Sequence, residues 1–189
     1  MTGVTVSPDE LAQVERHIFI SPHYDDIALS CGGTAVLLAQ HGRQPVISLL
    51  FGSEPDPAQP LTSFAEGMHR QWGMEASEVI AGRRKEEAAA LDILGARDEL
   101  LPFLDAIYRG ARYTSDPELF GSLAQDDSDL PSQIIEALDL CKLPDGSTRI
   151  YVPLAVGNHV DHQIAFAAGI ELARAGWDVC SHLGGERRC

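Results

Sequence analysis

His17-Ile18-Phe19-Ile20-Ser21-Pro22-His23-Tyr24-Asp25-Asp26 couples a short apolar run to a cluster of side chains that bind metals. The run predicts a strand over residues 16–21, buried because it carries no alternating polar face. It delivers one histidine and two adjacent carboxylates to the point where the strand ends. Cys31-Gly32-Gly33 then opens an apolar helix, predicted over residues 31–41. Far downstream, Asn158-His159-Val160-Asp161-His162 follows a second strand-like run at residues 149–154. Two His/Asp clusters, each at a strand exit, are what a mononuclear metal site in an α/β fold requires, and metal-dependent hydrolysis is the chemistry they suit.

The rest of the chain alternates in the same way. A strand is expected at residues 45–51, then a proline-rich loop over 52–60 and a short helix over 64–72. A longer helix is expected over 75–94, rich in alanine, arginine and glutamate, with Gly95 as its C-terminal stop. Residues 100–107 read as a strand despite Pro102, residues 111–129 as mostly loop, 132–140 as a helix, 149–154 as a strand and 160–175 as a final helix. Strands alternating with helices of this length imply a doubly wound, mostly parallel sheet with helices on both faces. Ligands bind such sheets beyond the carboxyl ends of the strands, where both His/Asp clusters fall. Residues 176–179 start another strand. The segment that follows, to Cys189, has no periodicity, so the single domain 1–189 reads as incomplete or atypical after about residue 179.

At 189 residues with 44% hydrophobic content, the chain suits one globular domain. A formal charge of −14 argues against nucleic acid or an anionic membrane as partner, because both demand basic surface. The N-terminal residues lack the basic and apolar regions of a secretory signal. The longest apolar run, residues 46–51, is too short to span a bilayer. Cys31, Cys141, Cys180 and Cys189 form no C-x-x-C pair, so a thiolate zinc site is not expected and a reducing cytoplasm is the default compartment.

Zinc takes imidazole nitrogen and carboxylate oxygen, usually with three protein ligands in a catalytic site. His23 and Asp26, three residues apart in a tight turn, can reach one ion, and His159 or His162 supplies the third ligand. Residues three apart at a helix start share a face, so both downstream histidines can enter one cleft. Asp25, beside a ligand but not itself bound, is placed to accept a proton from an activated water. Asp161 is placed to hydrogen-bond a histidine and fix its tautomer. Plainer readings exist. Asp25-Asp26 also suits a helix N-cap, and Arg83 with Glu86 a solvated intrahelical pair. Asp105 suits a turn as well as a sugar-hydroxyl acceptor, and Trp72 suits the core as well as a sugar-stacking face. Asp126, Asp127 and Asp129 read as a solvated loop, and His17, His41, His69 and His182 as isolated residues. Gly32-Gly33 lacks the G-x-G-x-x-G spacing of a phosphate loop, so close helix–strand packing and not nucleotide binding is expected there.

Pro22-His23-Tyr24-Asp25-Asp26 followed by Gly32-Gly33, together with Asn158-His159-Val160-Asp161-His162, resembles the two signature motifs of the LmbE-like or PIG-L family of zinc-dependent N-acetylglucosaminyl deacetylases. The resemblance spans roughly residues 15–179, including Arg83-Arg84-Lys85-Glu86 and Leu104-Asp105-Ala106-Ile107-Tyr108-Arg109. It implies a Rossmann-like fold and removal of an acetyl group from an N-acetylated amino sugar or its conjugate. The zinc ligands it implies are His23, Asp26 and His162. It implies Asp25 as general base, and His159 as the histidine that stabilises the oxyanion or protonates the leaving amine. Arg83 and Asp105 are the candidate substrate-binding residues. Zn2+ is the expected ion, with Fe2+ suited to the same His/His/Asp set. The expected partner is a small-molecule substrate, with self-association into a homo-oligomer compatible. Tyr24 and Val160 stand where many members carry proline, and Ile27 where many carry glutamate. The competing expectation is a metal-retaining but inactive or unstable truncated member of the same fold.

Overall fold

The structure, a computed structural model, describes residues 13–73, 78–140, 144, 146–183 and 186–188. Strand β1 (Arg16–Ser21) lies inside the sheet, with every residue after Arg16 buried. It pairs in parallel with β2 (Val46–Leu49) on one side, Ile18 opposite Val46, and with β4 (Thr148–Pro153) on the other, Ile18 opposite Ile150. β3 (Arg97–Leu100) flanks β2 and β5 (Asp178–Leu183) flanks β4, also in parallel. β6 (Glu186–Arg188) closes the far edge antiparallel to β5, giving the order β3-β2-β1-β4-β5-β6. The chain works outward from β1 to one edge, returns, and works outward to the other. Between β1 and β4 it therefore has the topological switch point at which doubly wound sheets bind ligands.

Both sheet faces are covered, as the uninterrupted apolar strands demand. On one face Phe19, Ile47 and Tyr151 pack against Ile27 and Leu38 of α1 (Asp26–Gln40) and Leu91 and Leu94 of the long helix at Val79–Leu94. On the other, Ile20, Ile150 and Val152 meet Ile134 of the helix at Leu130–Ala137 and Ile164 and Leu172 of the final helix at Val160–Arg174. Counting α2 (Ser63–Trp72) and the short α4 (Asp116–Leu119), these three helices are α3, α5 and α6. Each fully buried Leu, Ile or Phe contributes about 1.5–3 kcal/mol. Two such layers, and not helix propensity, hold α1 and α6 in place. A third cluster, with Ala65, Ile107, Tyr113, Leu119 and Val160, ties α2 and the long loop to the start of α6. No helix among the described residues is long and apolar enough to cross a membrane.

The expected elements hold, with local differences that have physical causes. The helix predicted over 31–41 begins five residues earlier, at Asp26, and bends at Cys31, whose φ of −141° is non-helical. Gly32 then packs helix on helix and not helix on strand, since a Cβ there would lie 3.2 Å from Leu94 Cδ2. The strand expected at 100–107 lies at Arg97–Leu100 instead. This is an edge strand of mainly charged residues, so no apolar run announces it, and Pro102 ends the pairing just after it. Residues 111–129, expected as mostly loop, contain α4 and a 3-10 turn at Gln125–Asp127. The helix expected at 132–140 starts at Leu130, with Pro131 in its first turn. Residues 75–77 of the helix expected over 75–94 lie outside the described residues. The strand begun at 176–179 runs on to Leu183.

Gly95 stops α3 in the left-handed conformation, at φ 65°, and a Cβ there would meet Ala39 Cβ at 2.7 Å. Gly95→Ala combines an unfavourable φ with a steric clash between α1 and α3, so it should destabilise the fold by about 1–3 kcal/mol. A urea denaturation midpoint equal to wild type would contradict this close approach.

Candidate metal centre

Backbone hydrogen bonds fix the turn that follows β1. The N–H groups of Leu50 and Phe51 donate to the carbonyls of Ser21 (2.9 Å) and Pro22 (3.0 Å), and Ser21 Oγ donates to the His23 carbonyl at 2.7 Å. The His23 N–H donates to Asp26 Oδ2 at 2.8 Å, which folds the Asp26 carboxylate back toward the histidine. Asp25 sits between them at φ 70°, a conformation that an L-residue adopts only under constraint. The constraint is Glu87 of α3, whose Oε2 accepts the Asp25 N–H at 2.9 Å. Asp25 is the N-cap residue of α1 but makes no side-chain capping bond. Asp25 instead lines a cleft of about 330 Å³ with Trp72, Arg83 and Glu86.

The second cluster enters from β4. Ala155, Gly157 and Asn158 all adopt positive φ and turn the chain sharply into α6. Asn158 Nδ2 and Gln163 Nε2 tie this turn down by donating to the Gly121 carbonyl at 3.1 and 2.8 Å. His159 caps α6, its Nδ1 accepting the Asp161 N–H at 3.2 Å. Because β1 and β4 are sheet neighbours, this helix start faces the His23 turn directly. The His23 ring centroid lies 4.8 Å from that of His159 and 5.3 Å from that of His162.

Among the described residues, two overlapping groups bring three donor atoms within 4.8 Å of one another: His23, Asp26 and His162, and His23, His159 and Asp161. Hydrogen bonding separates them. Asp161 is fully buried, and its Oδ2 accepts from His23 Nε2 (2.9 Å) and the Ala106 N–H (3.0 Å). Its Oδ1 accepts from Arg109 Nη2 at 2.6 Å. A carboxylate that already accepts three hydrogen bonds has little capacity left for an ion. It also draws the His23 proton to Nε2, because a carboxylate only accepts. In the neutral ring that leaves Nδ1 open to an ion, 3.6 Å from Asp26 Oδ2, which in turn lies 3.3 Å from His162 Nε2. Two imidazole nitrogens and one carboxylate oxygen therefore converge, a donor set that suits zinc or ferrous iron.

The electrostatics favour a cation. Burial opposes charge on His23, but Asp105, Asp161 and Asp26 outweigh it and raise its pKa to about 9. Burial also opposes ionisation of Asp161, yet the His23 hydrogen bond and the Arg109 charge hold it well below the usual carboxylate range. Asp105 moves the other way: burial, only partly offset by His23, raises it. His159 is pushed down to about 4 by burial and by the neighbouring His23 charge, so its imidazole is neutral.

Arg83 and Asp105 face each other, with Arg83 Nη1 3.9 Å from Asp105 Oδ2. The Arg83 guanidinium lies over the rings of Tyr24 (5.1 Å) and Trp72 (5.3 Å), forming one wall of the cleft beside Asp25. Asp105 caps the 3-10 turn Ala106–Tyr108 by accepting the Ile107 N–H, and its carboxylate is 3.7 Å from His23 Nε2. Asp127, expected in a solvated loop, is buried instead: Arg109, Arg112 and Tyr113 surround it and make burial tolerable. His69, expected to be isolated, is buried with its Nε2 2.6 Å from the Tyr108 hydroxyl. Sequence reasoning missed Glu87, although a carboxylate in the apolar stripe with Ile80, Leu91 and Leu94 was a usable signal.

The profile of the GlcNAc-PI de-N-acetylase (PIG-L) family matches residues 18–173. The chain is 32% identical over 180 residues to a 2'-N-acetylparomamine deacetylase of Niallia circulans, covering 86% of this chain and 64% of that protein. It is 34% identical over 155 residues to a 2'-N-acetylparomamine deacetylase of Streptomyces fradiae, covering 81% of this chain and 50% of that one. The chain thus spans half to just under two thirds of the length of these curated relatives. The crystal structure of the zinc-inhibited form of a teicoplanin deacetylase superposes with a TM-score of 0.70 at 28% identity, covering 89% of this chain and 68% of the other. With the profile match running from β1 through nearly all of α6, the chain belongs to the PIG-L family of GlcNAc-PI de-N-acetylases.

Proposed function

We propose that this chain carries the hydrolytic centre of a divalent-metal-dependent N-deacetylase acting on the acetamido group of an amino-sugar conjugate. One observation carries the reading: His23 Nδ1, Asp26 Oδ2 and His162 Nε2 converge at the sheet's switch point, and Asp25, next to Asp26 in the chain, lines a cleft with Arg83. The ligands are His23, Asp26 and His162, and the ion is zinc, with ferrous iron able to replace it. Such an ion polarises an amide carbonyl and lowers the pKa of a water toward ~7.

The protein groups divide the remaining work. Asp25, held at positive φ by Glu87, takes a proton from the attacking water and passes it to the departing amine. A carbon–oxygen bond forms, the carbon–nitrogen bond breaks, and acetate and a free amine leave. Asp25 makes no capping bond, so its carboxylate remains available for this. His159 acts as a neutral hydrogen-bond donor. Its Nδ1 accepts from the backbone of Asp161, so its ring proton is on Nε2 and can stabilise the carbonyl oxygen as negative charge develops. Arg83 and Asp105 hold the sugar side of the substrate, with the Arg83–Tyr24–Trp72 stack as a rigid wall. The substrate class is supported by relatives named for deacetylating 2'-N-acetylparomamine and by the fold match to a teicoplanin deacetylase.

Alanine at His23, Asp26 or His162 should lower metal content by orders of magnitude, since a three-ligand site has no spare donor. Full occupancy in all three variants, by metal analysis after dialysis, would refute the ligand assignment. Asp25→Asn should keep the metal and lower kcat for acetate release by about 10²–10⁴. His159→Ala should also keep it and lose about 10²–10³ in rate. Metal loss in Asp25→Asn would make Asp25 a ligand, and a wild-type rate in either variant would remove that residue from the mechanism. Stripping the wild-type protein with a chelator should abolish acetate release, and zinc or ferrous iron should restore it. Unchanged turnover in the stripped protein would exclude a metal-dependent reaction.

A further inference from the structure

The loop after β3 carries a buried cation that no step above uses. The Arg109 side chain is 6% exposed and makes three contacts in three directions. Its Nη2 donates to Asp161 Oδ1 at 2.6 Å, its Nη1 to the Leu104 carbonyl at 2.9 Å, and its Nε lies 3.0 Å from Asp127 Oδ2. The guanidinium lies over the rings of Phe51 and Tyr113, each 5.2 Å away, which block alternative positions. Asp127 is fixed in turn by the Tyr113 hydroxyl at 2.8 Å. Two donors of the planar guanidinium fork thus hydrogen-bond one buried carboxylate and a backbone carbonyl, while Nε is ion-paired with Asp127 without hydrogen-bond geometry, an arrangement that lysine cannot reproduce.

From this arrangement we infer that Arg109 is a positioning residue for the metal centre, acting through Asp161 on His23; the inference rests on the ligand assignment above. Arg109 holds Asp161 by Oδ1. Asp161 Oδ2 then has a fixed place from which to accept His23 Nε2–H. That bond orients the imidazole and, in the neutral ring, holds its proton on Nε2, so that Nδ1, the atom that faces Asp26 and His162, is the one open to an ion. The Ala106 N–H on the same Oδ2 belongs to the segment that Arg109 ties down at the Leu104 carbonyl, so one loop both orients the carboxylate and anchors itself. Without the fork, Asp161 loses its shortest partner and is left beside His23 with only one backbone donor. Removing a partner that orients a metal-binding histidine typically weakens metal binding by about 10–100-fold.

The test is zinc affinity of the full chain, measured by competition with a chromophoric chelator for wild type, Arg109→Met, Arg109→Lys, Asp161→Asn and the Met/Asn double variant. Arg109→Met should raise the zinc Kd about 10–100-fold. Arg109→Lys, which keeps the charge and one donor, should recover part of that loss. The double variant should bind no more weakly than Asp161→Asn alone, because Arg109 acts through Asp161. A general packing defect would instead lower the melting temperature of the metal-free protein while leaving the zinc Kd unchanged. Wild-type zinc affinity in Arg109→Met, or losses that multiply in the double variant, would overturn the inference. If Arg109→Met does not fold, the same cycle with Arg109→Lys decides by the same criterion. His162→Ala is the control for the underlying reading. Wild-type zinc affinity in that variant would refute the ligand set and this inference with it, whereas lost affinity there with none lost in Arg109→Met would refute only the role of Arg109.

Discussion

Parallel pairing of β1 with β4 is the constraint on which the site depends. Residues 16–19 align one for one with residues 148–151, so the two strands leave the sheet side by side. The Pro22–Asp26 turn and the His159–His162 helix start are far apart in the chain, yet they face each other across the crevice between those strands. Parallel strands need crossovers, and helices on opposite faces supply them on either side of β1. This opens the crevice at the switch point. The buried runs Ile18-Phe19-Ile20 and Ile150-Tyr151-Val152 enforce the register, because a slip of one residue would exchange the two core faces.

Charge is concentrated on that geometry. Asp26, Asp105 and Asp161 crowd one buried imidazole, an arrangement that is unfavourable unless a cation compensates it. Arg109 compensates Asp161 from behind and Arg83 approaches Asp105 from the side, which leaves the Asp26 side with its two histidines for an ion. Conformational strain is placed as deliberately. Asp25 occupies the left-handed region, a conformation that costs about 1–3 kcal/mol for a non-glycine residue. Glu87, itself buried and raised in pKa by burial, holds it there. The two features explain why adjacent aspartates take different places: Asp26 folds back toward His23 while Asp25 is turned into the open cleft.

Much of this was legible in the chain. The continuous apolar runs gave the central strands, Gly95 the end of α3, and the two His/Asp clusters at strand exits do meet in one crevice. What escaped has a common cause. The β3 edge strand is charged, and edge strands carry no apolar run to read. Asp127 and Arg109 lie in a loop without periodicity, where burial depends on partners far away in sequence: Asp161 for Arg109, and Arg109 and Tyr113 for Asp127. The residue pattern left His159 and His162 open as alternatives for the third ligand, and it is the side-chain contacts that favour His162. His159 spends its Nδ1 on the helix cap, which leaves only Nε2, and the other candidate group requires an Asp161 that already accepts three hydrogen bonds.

The central claim is that His23, Asp26 and His162 form the metal centre, with Asp161 behind it. Anomalous diffraction at the zinc edge from crystals grown with zinc tests this most directly. The account predicts one peak in the crevice at about 2.0–2.2 Å from His23 Nδ1, Asp26 Oδ2 and His162 Nε2, with Asp161 still bonded to His23 Nε2. A peak held by His159 and Asp161, with His162 unbound, would contradict it.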